Sequence, residues 1–175
     1  MKKIFLFMFV ILFSMFSGTA TADSIKIGFV NAQKVLEESK EGERVQERMQ
    51  EYVTSRQNII DLEEKELKQL EEDLTRQGSL LSPEAVKVKQ SEFQKKLMAY
   101  QKKARELNNE VQQKKIESLR NFNKKLEGAV KQVAEKEGYR FVLDKNNEGG
   151  AVIYSDETYD ITAQVIAQLN KDTEK

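Results

Sequence analysis

Two stretches of apolar residues, spaced alternately three and four apart, constrain this chain more than any other feature. They run from Val45 to Leu74 and from Phe93 to Val111. That spacing is the mark of a helix presenting one narrow stripe to a partner. Between the stretches lies Gln77-Gly78-Ser79-Leu80-Leu81-Ser82-Pro83, a stop followed by a restart. Gly78 is expected to end the first helix, because glycine tolerates the left-handed cap conformation. Ser82 caps the second, Pro83 takes the first helical position, and Glu84 meets the positive helix end. So short a break folds the second helix back along the first. At about 1.5 Å per residue, a helix from Ser39 to Gln77 is roughly 58 Å long. That is deeper than a single small core.

The outgoing stripe is Val45, Met49, Tyr52/Val53, Ile59/Ile60, Leu67, Leu70 and Leu74, with Arg56 and Glu63 at seam positions. The return helix is expected from Pro83 to about Glu137. Its seam is Phe93, Leu97, Tyr100, Ala104, Leu107 and Val111. The next apolar set, Leu119, Phe122, Leu126, Val130 and Val133, is out of phase with it. A phase slip of this kind marks where the helix leaves the arm and enters a head. Aligning the two seams sets Leu74 against Val86, Leu67 against Phe93, Ile60 against Tyr100 and Met49 against Val111. The same register brings Glu64 near Lys96, Glu71 near Lys89 and Asp73 near Lys87. Residues 39–77 carry 7 basic and 11 acidic side chains, net −4, whereas residues 83–120 carry 10 and 5, net +5. Helices of opposite sign lie side by side, and such pairs bear on register more than on stability.

The head is expected from the two flanks of the arm. Ile25-Lys26-Ile27-Gly28-Phe29-Val30 alternates like a strand, and Asn31 can cap a short helix holding Val35 and Leu36. Gly138 ends the return helix. Tyr139–Leu143 and Ala151–Tyr154 read as strands on either side of the turn-rich Asp144-Lys145-Asn146-Asn147-Glu148-Gly149-Gly150. Asp160 caps a last helix with Ile161, Val165 and Leu169 on one face, followed by a polar tail over 171–175. So small a sheet needs further strands or a helical cover. Ile27, Phe29, Phe141, Leu143 and Ile153 are therefore expected to be buried in a β-body completed between subunits. The fold class is α+β: a long antiparallel helical hairpin on a small β-containing oligomerisation head. The organisation is head over 23–38 and 119–170, with the arm over 39–118 and its tip at 78–83.

The N-terminus follows signal-peptide grammar. Lys2 and Lys3 precede an apolar run, and Ala20-Thr21-Ala22 is a small-x-small site, so cleavage is expected after Ala22. Cleavage takes 22 residues and two lysines, leaving 153 residues with 27 basic against 29 acidic side chains, net −2. That balance opposes a nucleic-acid partner. The chain has neither cysteine nor histidine. Thiol chemistry, disulfides, the commonest general base and the commonest transition-metal ligands are thereby removed. The abundant carboxylates read as solvated helix faces. No catalytic, cofactor or metal residue is expected, and no client-binding residue can be singled out.

Ile25-Lys26-Ile27-Gly28-Phe29-Val30-Asn31-Ala32-Gln33-Lys34-Val35-Leu36 resembles the opening of the Skp/OmpH family of periplasmic chaperones. Phe141-Val142-Leu143-Asp144, Ala151-Val152-Ile153-Tyr154 and Asp160-Ile161-Thr162-Ala163-Gln164-Val165 resemble its closing pattern. The resemblance covers essentially the whole mature chain. It implies a jellyfish-like homotrimer in the periplasm, with three helical tentacles hanging from a small β-body. It also implies an ATP-independent holdase that cages unfolded outer-membrane β-barrel proteins before their insertion, without cofactors. Well-known members are strongly basic. The net charge of −2 departs from them, leaving open lipopolysaccharide or a weak contact with the membrane surface. The alternative reading is a periplasmic coiled-coil spacer or scaffold with no client.

Overall fold

The computed structural model describes residues 25–78, 80–145, 152 and 154–174. The expected signal segment and Ile153 lie outside the described residues. In chain order the elements are β1 (Ile27–Val30), α1 (Ala32–Glu38), α2 (Lys40–Gln77), α3 (Pro83–Glu137), β2 (Phe141–Asp144), a 3-10 turn (Glu157–Tyr159) and α4 (Thr162–Thr173). The two arm helices have 38 and 55 residues. At about 1.5 Å per residue they extend roughly 57 and 82 Å.

Local chemistry sets the helix ends. Asn31 Oδ1 accepts the Lys34 amide at 2.9 Å and starts α1. Ser39 Oγ accepts from Gly42 at 3.1 Å, and Ser82 Oγ accepts from Ala85 at 3.2 Å. Gly138, at φ 76°, closes α3 in the left-handed conformation. Gly78 does not do the same for α2. Its φ of −55° and ψ of −34° are right-handed, so the expected left-handed cap is absent. The chain leaves α2 through a tightened last turn, where the Leu80 amide donates to the Gln77 carbonyl at 2.9 Å.

The seam of α3 runs where the spacing placed it, with Phe93, Leu97, Tyr100, Ala104 and Val111 half-buried and Leu107 buried. It then continues through Lys114 and Ser118 to Phe122 and Leu126. Three four-residue steps in succession make this the phase slip. Ser118 and Leu119 are both half-buried there, and Ser118 Oγ lies 3.6 Å from Met49 Sδ.

That contact also corrects the expected register. Met49 lies against Ser118, not Val111, one heptad further along α3. Arg56 reaches Glu110 at 3.2 Å, Glu63 reaches Lys103 at 2.8 Å and Glu66 reaches Lys96 at 3.4 Å. None of the expected pairs from Glu64, Glu71 or Asp73 forms among the described residues. The reason is physical. A heptad slip sets apolar seam residues on apolar seam residues again, so the stripe alone cannot select among registers. The charges do. Arg56 and Glu63, the two polar interruptions of the stripe, each pair with an opposite charge on α3 in the observed register. A charged group at a seam position commonly fixes register in this way.

The core sits at the root of the arm. Val30, Val35, Val45, Phe122, Leu126, Ala129, Val133, Ile161, Val165 and Leu169 form one buried cluster. Strands β1 and β2 pair in parallel, Ile27 opposite Phe141 through Val30 opposite Asp144. Beyond Phe29 a single parallel bridge reaches Asp160. Ala151 and Ile153 of the expected third strand lie outside the described residues. Val152 and Tyr154, which are described, belong to no strand. Most of the expected polar tail is helical. Helix α4 runs to Thr173, where the Lys40 amide donates to Asn170 Oδ1 at 2.8 Å and Arg44 donates to the Thr173 carbonyl at 3.3 Å. Lys40 also pairs with Glu174. These last residues are held because α4 packs beside the first turn of α2.

The corner between α1 and α2 depends on one glycine. A Cβ on Gly42 would fall inside contact distance of the Leu36 carbonyl oxygen, a backbone atom that cannot swing aside. Gly42→Ala is expected to force the corner open and destabilise the head by about 1–3 kcal/mol, as overpacking does. Urea unfolding checks this. An unchanged midpoint means that the corner adjusts freely.

Candidate functional site

Among the described residues no group of histidine, cysteine or carboxylate side chains could hold a metal ion. What the fold presents is surface.

The first surface is a face of the β pair. Side chains alternate across a strand, so Gly28, Val30 and Val142 turn toward the helices. In β1 that face is buried. Gly28 must stay small there, since a Cβ would meet the Tyr139 ring at 3.0 Å. Lys26 seals the same edge, with its ammonium 4.0 Å from the centre of that ring and donating to the Glu137 carbonyl at 2.8 Å. The parallel register puts Ile27, Phe29, Phe141 and Leu143 together on the opposite face. Phe141 is 59% exposed, Leu143 42% and Ile27 39%, with Phe29 half-buried. Among the described residues no element covers this apolar face. These are four of the five residues expected in a shared core, and one chain alone brings the four side by side. Large apolar side chains gathered on one exposed face are unusual on a protein surface.

The second surface is the arm. Its seam is thin and half-wet, and cross-helix ion pairs line it. Arg56 also lies 4.2 Å over the Tyr52 ring. Hydrogen bonding to Glu63 holds the Lys103 ammonium above its ordinary range. Large apolar side chains stand exposed along the arm at Leu62, Leu80, Val88 and Met98, separated by charged residues rather than gathered into a patch. Such a surface offers many weak apolar contacts.

Glu41 is the group that a reading of the carboxylates as solvated faces misses. It is 3% exposed, at the root of the arm. Its Oε1 pairs with Lys125 of α3 at 2.7 Å and with Arg48 at 3.5 Å. The sequence signal was there: a carboxylate in the first turn after a serine cap, beside a glycine that lets another chain segment approach.

Comparison with known proteins agrees with this architecture. A family model described as "Outer membrane protein (OmpH-like)" matches residues 26–169. A protein named Chaperone protein Skp from Yersinia enterocolitica is 26% identical over 153 residues, covering 87% of this chain and 91% of its own. A protein of the same name from Vibrio cholerae serotype O1 is 30% identical over 138 residues, 79% of this chain and 82% of its own. The crystal structure of an OmpH-like protein from Caulobacter crescentus CB15, described as a candidate outer membrane chaperone, superposes with a TM-score of 0.77. It covers 90% of both chains at 20% identity and speaks for the fold. The family match runs from β1 through both arm helices into α4, taking in every element that builds the head and the arm, and the chain therefore belongs to the Skp/OmpH family.

Proposed function

We propose that this protein is a periplasmic holdase chaperone that works without ATP, caging unfolded outer-membrane β-barrel proteins between the arms of a homotrimer. The observation that carries the reading is the separation of core from arm. The packed core lies at the root, while α2 and α3 run on far beyond it, held by little more than their own seam. An arm of that kind adds extended surface well beyond the core. It suits a disordered client, which needs dispersed and releasable contacts. Ile27, Phe29, Phe141 and Leu143 form the surface through which copies associate. Ile153 joins them by its place in the sequence. Export, with cleavage after Ala22, puts the protein where such clients pass. The chaperone names borne by the Yersinia and Vibrio relatives support the reading.

The test is light scattering. An unfolded outer-membrane β-barrel protein is diluted from urea with and without the chaperone, in the presence and absence of ATP. Suppression of aggregation near one oligomer per client, unchanged by ATP, is the expected result. No suppression at any ratio means that the protein is a spacer without clients.

A further inference from the structure

The seam weakens at the phase slip, and the gap is not empty of chemistry. Where Met49 meets Ser118, a cleft of about 470 Å³ opens between the root of α2 and α3. Its volume lies within the roughly 300–1,000 Å³ range of small ligand sites. Its apolar floor is made by Val45, Met49 and Phe122. Four cations, Arg48, Lys114, Lys124 and Lys125, line it against one carboxylate, Glu41.

Glu41 is buried and fully engaged, so it does not face a ligand as a free anion. Instead it holds Arg48 and Lys125 in place from below, while both keep more than half of their side-chain surface open to solvent. Cations fixed in this way lose less freedom when an anion arrives. Lys114 is shared with Glu117 at 2.9 Å, and Lys124 has no ion pair among the described residues. The cleft therefore keeps positive charge to spare above an apolar floor, in a chain whose overall formal charge is zero.

We propose that this cleft is a client subsite, one that takes an acidic residue flanked by an apolar residue in an extended polypeptide. The inference rests on the holdase reading and gives it a location and a chemistry. The flanking apolar side chain lies on Val45, Met49 and Phe122. The carboxylate lies among Lys114, Lys124 and the two cations that Glu41 positions. A polypeptide fits better than a lipid. The floor is only three side chains wide, too short to cover an acyl chain.

The chain has no cysteine, so Asn121→Cys on the cleft rim gives a single labelling position for an environment-sensitive dye. The full oligomer so labelled is titrated with Gly-Ser-Phe-Asp-Phe-Ser-Gly and with the same peptide carrying Asn in place of Asp. The expected result is about 5-fold tighter binding of the acidic peptide at low salt, the size of a partly screened charge pair. The difference should vanish near 1 M salt, where the Debye length is about 3 Å. The double variant Lys114→Glu, Lys124→Glu should lose the preference while Arg48, Lys125 and Glu41 keep the arm root folded. Equal affinity for the two peptides overturns the proposal. So does a dye response to phosphatidylglycerol vesicles but not to peptide, which makes a lipid the occupant. Aggregation assays on the same variant separate the two readings. Suppression retained with the acidic preference lost supports the subsite. If the unaltered protein suppresses nothing yet still prefers the acidic peptide, the holdase reading fails and the cleft stands as a peptide site.

Discussion

A Phe141→Asp variant is expected to run as a folded single chain, and the parent protein as the proposed oligomer. Phe141 lies on the sheet face turned away from the helical core and is mostly exposed in the protomer. Val35, Phe122, Ile161 and Val165 hold the head together without it. The substitution therefore spares the protomer and strikes what covers that face. Each copy loses about 1.5–3 kcal/mol of apolar burial, and an unpaired carboxylate in the covered face costs several kcal/mol more by ordinary estimates. Association should weaken by at least about three orders of magnitude. Sedimentation gives the mass, and circular dichroism should show the helix content retained. Leu74→Asp, near the arm tip, should leave the oligomer intact. Equal dissociation by both variants would move the interface into the arms.

Shortening the arm should abolish client holding and leave the oligomer standing. The observed register decides where to cut. Arg56 faces Glu110, so deleting residues 57–109 and inserting a short turn keeps the two stumps in phase. A deletion drawn from the seam spacing alone, Arg56 to Ala104, would leave stumps that face each other wrongly. The in-phase deletion keeps Glu41, Val45, Met49, Ser118 and the whole head core. It should form the same oligomer as the parent yet lose nearly all suppression of β-barrel aggregation. Single alanine substitutions in the arm should lower suppression only slightly, because dispersed contacts have no hot spot. If the shortened protein holds a client as well as the parent, the head carries the binding and caging by the arms is wrong.

Much of this fold was legible in the chain because it is written locally. The caps at Asn31, Ser39 and Ser82 and the left-handed Gly138 each need only a few neighbouring residues. Helix spacing fixed which side chains form the seam, and Ile161, Val165 and Leu169 were legible as one buried face. What escaped was relational. Register escaped because a heptad repeat looks the same after a slip of seven, and only Arg56, Glu63 and their partners on α3 break the degeneracy. The burial of Glu41 escaped because it depends on Lys125, far away in sequence. Gly78 misled because glycine permits a left-handed cap without requiring one. Of the candidate site, the face shared by Ile27 and Phe29 followed from alternation. Its union with Phe141 and Leu143 needed the parallel pairing, which no local pattern encodes.

That pairing also bears on how the molecule comes into being. Lys26 beside β1 bonds to Glu137 just before β2, 111 residues away. Closing so long a loop through disordered chain is slow, and contacts of this separation dominate folding time. The hairpin removes the difficulty. Its turn at Gly78 to Ser82 is local, so α2 and α3 can nucleate there and zip toward the root. When the zipper reaches Glu41 and Lys125, the two ends of the chain have already been carried together, and β1 meets β2 across a short gap. A chain synthesised N-terminus first therefore exposes β1 long before its mate exists. The strand waits unpaired until the arm delivers it. In that order of events the arm is the assembly jig for the head, before it is a tool for anything else.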